Sequence, residues 1–111
     1  MIACYALDLK DDPALIAEYE RWHANVWPEV LEHLRNSGIS RCSIHRAGNR
    51  LFMIVDSSTG AATDGGGATL PPRVQEWEDL MARFQQPLPF AKPGEKWVRM
   101  ARIFEWEAEG L

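Results

Sequence analysis

Tyr19 and His23 stand four residues apart in the run YERWHANVWPE, residues 19–29, and Trp27 lies four further on. On a helix, that spacing puts the phenol and the imidazole on one face, a turn apart. An imidazole gives or takes a proton near neutrality. A phenol one turn away can hydrogen-bond a ligand hydroxyl or hold the imidazole in one tautomer. An indole in the same row adds a flat apolar surface. Such a row could grip a polar ring and move its protons, and it could equally be plain core. A second pair, Trp77-Glu78, sets an indole that can cover the CH patch of a sugar beside a carboxylate that can accept its hydroxyl protons. Trp77 in the core with Glu78 in solvent accounts for the same periodicity.

Other chemistries find little footing. His33 sits among Glu32 and Arg35, and His45 among basic neighbours, with no HxxxH spacing to hold a metal. The glycines at 65–67 neither follow a GxGxxG pattern nor open a helix, so they make no nucleotide loop. No GxSxG is present, and neither cysteine stands in a nucleophile motif. The formal net charge of −4 gives no reason to expect nucleic acid or an anionic membrane as a partner. No apolar run approaches the roughly 20 residues that a membrane span needs. The start, MIACYALDL, lacks a basic region ahead of its apolar run. Cys4 and Cys42 fall in strand-like segments and are expected as free thiols, which points to a cytoplasmic protein.

The elements that would position these residues can be read from pattern. The 111 residues, 46% hydrophobic and 25% charged, suit one domain spanning 1–111. Five Trp, four Phe and two Tyr supply large side chains for a small core or a pocket wall. Ile2 to Leu9 alternates with apolar residues on both faces, a strand covered on both sides. Asp12 can cap a helix that begins at Pro13. Trp27-Pro28 breaks that helix, and Pro28 opens a second one ending at Asn36, before Ser37-Gly38. Ile39 to His45 and Leu51 to Asp56 form strands joined by a short hairpin at Gly48-Asn49, the second strand being central. Residues 57–72 form a mobile Gly-rich loop. A helix follows from Pro72 to Gln85, then an extended loop over 86–95, then a final strand from Lys96 to Trp106.

This order predicts an α+β, ferredoxin-like βαββαβ fold whose first helix is broken in two. Both helical layers would cover one face of a four-stranded antiparallel sheet. The other face is apolar as well, which predicts a homodimer packed sheet to sheet, a dimeric α/β barrel.

The run Tyr19-x3-His23-x3-Trp27-Pro28-Glu29, followed by Leu34-x3-Gly38, Ile44, Leu51-Phe52 and Trp77-x2-Leu80-Met81, resembles the L-rhamnose mutarotase family. The resemblance implies a small dimeric α+β isomerase that interconverts the α and β anomers of 6-deoxy-L-sugars. The family's proton-donor His falls on His23, its sugar-binding Tyr on Tyr19, and a Trp of the last helix on Trp77. No cofactor or metal is implied, since ring opening needs only an acid and a base or a bound water. Glu78 is added from its chemistry as a base or hydroxyl anchor. The chain departs from rhamnose-specific members at Cys42, near a second Tyr of theirs, and at Glu78, where they carry a Trp. The pocket is therefore altered around the sugar, and L-fucose joins L-rhamnose as an expected substrate. A cofactor-free dimeric α/β-barrel monooxygenase, or a haem-degrading relative, would share the element order. A non-catalytic small-ligand module would share the aromatic pocket.

Overall fold

The computed structural model describes residues 1–58 and 70–108. Strand β1 runs Ile2–Leu9, and helix α1 runs Pro13–Ala24. Asp12 caps α1: its Oδ1 accepts from the backbone N–H groups of Ala14 and Leu15. Trp27 is held extended at φ −59° and ψ 137°, as a residue before proline must be. Helix α2 then runs Pro28–Asn36. Gly38, at φ 83°, turns the chain into β2, Ile39–Ala47. A two-residue turn at Gly48-Asn49 leads to β3, Arg50–Ser57, and Gly48 supplies the positive φ that turn demands. Helix α3 runs Pro72–Ala82. Two short strands complete the sheet: β4 at Gln85–Gln86 and β5 at Val98–Arg99.

The sheet order is β2-β3-β1-β4, and β5 also pairs with β1. Every pairing is antiparallel, so β1 and β3 are central, as their two-sided apolar pattern requires. Register puts Tyr5 beside Met53, Leu7 beside Leu51, and Ala3 beside Val55. These side chains pack with Tyr19, Val30, Trp77, Met81 and Phe84 in one core beneath the helices. Ile2, Cys4, Ala6, Phe52 and Ile54 alternate to the opposite face. There the Arg50 guanidinium caps buried Asp8, at 2.8 and 3.3 Å from its two oxygens. Cys4 and Cys42 are both free. No helix among the described residues is long and apolar enough to cross a membrane.

Two expectations are corrected. Helix α3 stops at Ala82, three residues before the expected Gln85. The N–H groups of Arg83 and Phe84 bond back to the carbonyls of Leu80 and Met81, closing the helix in a tight turn. That turn buries Phe84 and lays Gln85 beside Leu9. The final strand is also shorter than Lys96–Trp106. Only Val98–Arg99 pairs with β1, and the ladder ends with the Met100 N–H on the Cys4 carbonyl. Residues 101–108 join no sheet in the structure. Ile103 and Phe104 are left 96% and 80% exposed. The expected loop over 57–72 falls mostly outside the described residues.

Candidate active site

The Tyr19–His23 spacing does what a helical turn requires. The two rings lie with centroids 4.4 Å apart on α1, and Tyr19 is buried while His23 is half-buried. His23 Nδ1 lies 2.9 Å from the Tyr19 backbone carbonyl. A carbonyl oxygen can only accept, so Nδ1 carries the hydrogen and donates it. Nε2 is thereby left as the nitrogen that can exchange a proton: a base when the ring is neutral, an acid when it is charged.

Trp77 comes from α3 and is 5% exposed. Its indole sits edge-on to His23 at 5.5 Å, Trp27 at 5.2 Å and Trp22 at 6.4 Å. Arg73 lies 4.0 Å over the Trp27 ring and closes the outside of this aromatic cluster. The cluster wedges the end of α1 against α3 and fixes the plane of the imidazole. Trp27 and Trp22 thus brace Trp77 from behind.

One cavity of about 410 Å³ is lined by Tyr19, His23, Trp77 and Glu78 among others. That volume falls within the roughly 300–1,000 Å³ usual for small-molecule sites. All four residues singled out in the sequence therefore meet in one place. Val30, Leu34, Ile44, Met53 and Trp97 supply apolar wall, and Cys42 borders the cavity from β2. Cys42 pairs with Val55, and Ile44 with Met53, so strand alternation points both inward. Gln85 also borders the cavity and was not singled out. Its position depends on a two-residue strand, too short to leave a period in the sequence.

Two carboxylates reach the cavity. Glu20 is exposed and tied to Arg46 at 3.2 Å. Glu78 is half-buried, with Lys96 Nζ 3.3 Å from its Oε2. His33 and His45 do not border the cavity; His45 shares a hydrogen bond with Ser43 on the exposed face of the hairpin. Among the described residues, no three His, Cys, Asp or Glu side chains converge as metal ligands.

The Tyr19 phenol is pushed up to about 12, chiefly by burial. A hydrogen bond from Gln85 pulls the other way, and the nearby charge of Glu78 adds to the rise. The phenol therefore stays protonated, and a donor, at any ordinary pH. The unfolded chain ionises at 10.0, so the folded chain holds this proton more tightly. The resulting stability is complete below pH 10 and is lost as pH rises toward 12. Unfolding free energy, measured by denaturant titration at stepped alkaline pH, is expected to fall through that window by up to about 3 kcal/mol on account of this group. Tyr19→Phe should flatten the fall. An unchanged alkaline slope in Tyr19→Phe would contradict the assignment.

Comparison with known proteins bears on the family of the chain. A family model described as L-rhamnose mutarotase matches residues 3–106. An L-fucose mutarotase from Xanthomonas campestris pv. campestris is 50% identical over 109 residues, covering 91% of this chain and 84% of that protein. An L-rhamnose mutarotase from Acidiphilium cryptum is 35% identical over 92 residues, covering 79% and 85%. The crystal structure of an L-rhamnose mutarotase from Formosa agariphila superposes with a TM-score of 0.71 at 21% identity, covering 96% of this chain and 99% of that one. With the family model spanning nearly the whole sequence, the chain belongs to the L-rhamnose mutarotase family.

Proposed function

We propose that the protein is a mutarotase that interconverts the α and β anomers of a 6-deoxy-L-hexose, with L-fucose preferred over L-rhamnose. The observation that carries this reading is the anchored imidazole. His23 donates through Nδ1 to the Tyr19 carbonyl and keeps Nε2 for proton exchange in a cavity of monosaccharide scale. The cationic ring gives its Nε2 proton to the ring oxygen of the sugar. The C1–O5 bond breaks and its electron pair stays on O5. The anomeric hydroxyl loses its proton and becomes the aldehyde oxygen. Rotation about C1–C2 and closure by the reverse steps give either anomer, and His23 recovers its proton.

Glu78 is the better placed of the two carboxylates to take the anomeric proton or anchor a hydroxyl. Its charge is felt by the Tyr19 phenol, and Lys96 holds one of its oxygens in place. Tyr19 donates to a sugar oxygen, and Trp77 meets the apolar side of the ring. Preference for L-fucose rests on the 50% identity to the Xanthomonas enzyme and on Cys42 and Glu78 in the cavity wall. No step calls for a cofactor. Exchange between the two anomeric proton signals of L-fucose, followed by saturation-transfer NMR with catalytic amounts of protein, tests this function. No acceleration on any 6-deoxy-L-hexose would remove it. The two free thiols suit a reducing compartment such as the cytoplasm.

The working unit is a homodimer. Ile2, Ile54 and Met100 are exposed on the face of the sheet away from the helices, and Ile103, Phe104 and Trp106 project from its end. So much apolar surface at one side of a small domain calls for a cover, and a second copy packed sheet to sheet supplies it. Sedimentation velocity at micromolar concentration is expected to give a dimer; a monomer throughout would overturn this.

A further inference from the structure

One polar group in the cavity wall has no part in the proton transfers above. Gln85 opens β4, its backbone pinned opposite Leu9 just after buried Phe84. Its Nε2 donates to the Tyr19 hydroxyl oxygen at 3.4 Å. Its Oε1 is buried and, among the described residues, receives no hydrogen bond. A buried amide oxygen without a donor is unfavourable, and folded proteins keep few of them without a use. Turning the amide by 180° would exchange the atom that meets Tyr19 and leave the N–H group unpartnered in its stead, so either orientation leaves one amide group over. The last torsion of Gln is broad, and a 3.4 Å contact has room to shorten when a ligand seats.

The hydrogen bond also fixes the phenol. With its oxygen occupied by the Gln85 donor, the Tyr19 O–H is free to point at a ligand. Tyr19 and Gln85 together would then present a donor and an acceptor side by side. Hydroxyl groups on neighbouring carbons of a pyranose need that pair: one accepts from the phenol, and the other donates to the amide.

We propose that Gln85 is a sugar-binding residue that also positions Tyr19, its amide bridging the phenol and a ring hydroxyl of the substrate. This rests on the mutarotase reading and extends it to a residue outside the acid–base centre. Gln85→Met keeps the length and removes the amide. It is expected to raise KM for the preferred sugar about tenfold, the effect of one hydrogen bond, with a smaller change in kcat. Gln85→Glu keeps the shape but removes the donor to Tyr19, and its carboxylate takes the phenol hydrogen instead; KM is expected to rise similarly. Analogues of the sugar lacking each ring hydroxyl in turn separate binding from a merely structural role. Deleting the hydroxyl that meets Gln85 should weaken the wild type and leave Gln85→Met unaffected, whereas a structural defect would lower activity on all analogues alike. Wild-type activity with KM unchanged in both variants would overturn the role of Gln85 alone. A wild type that exchanges no anomers would overturn the mutarotase reading itself.

Discussion

His23→Asn is expected to slow anomer exchange about 10²- to 10⁴-fold, the usual contribution of a positioned acid–base group. Asn is chosen because its side-chain N–H can replace the Nδ1 donor. The bond to the Tyr19 carbonyl, 2.9 Å in the native chain, is then kept, and only the exchanging Nε2 is lost. Circular dichroism and thermal unfolding should therefore stay close to wild type. His23→Gln makes the complementary change, leaving an amide near the Nε2 position without the ability to shuttle a proton. It is expected to fail as badly. A His23→Asn protein that is fully folded and exchanges anomers at the wild-type rate would separate the imidazole from the chemistry.

The second large effect concerns stability. Trp77→Ala is expected to lower the free energy of unfolding by about 3–5 kcal/mol, read from urea titration. Trp77 is nearly buried and is the ring against which Trp22, His23 and Trp27 all lean. Removing it opens a void where α1, the start of α2 and α3 come together. A domain of this size has only about 5–15 kcal/mol of stability to lose, so the variant should be marginal at room temperature. Trp77→Phe should retain most of the stability, because one aromatic ring still faces His23. A loss below about 1 kcal/mol in Trp77→Ala would mean that the cluster does not brace the site.

Local chemistry made most of this molecule legible. Asp12 before Pro13, Trp27 before Pro28, and Ser37-Gly38 each act through their own backbone, and the helices begin and end as those residues dictate. The meeting of Tyr19 and His23 needed only a helical period. Trp77 followed from its stripe on α3, although periodicity could not say that its neighbours would be the rings of α1. Long-range pairing stayed hidden. Gln85 reads as the tail of a helix, and only the turn at Arg83 and Phe84, fitted against Leu9, makes it a strand residue facing Tyr19. The ion pair of Glu78 with Lys96 joins residues 18 apart across an irregular stretch. Strand alternation in Met100 to Trp106 was visible, but a strand exists only with a partner, and among the described residues the pairing with β1 ends at Met100 on Cys4.

The central claim is that His23 moves protons on a bound 6-deoxy-L-hexose. Saturation-transfer proton NMR on equilibrated L-fucose, L-rhamnose and common D-sugars tests it most directly, run with catalytic amounts of the wild type and of His23→Asn. Transfer between the α and β anomeric signals is expected with the wild type for at least one 6-deoxy-L-hexose, most strongly L-fucose, and is expected to collapse with His23→Asn. Sugar binding without transfer in the wild type, or transfer undiminished in His23→Asn, would contradict it.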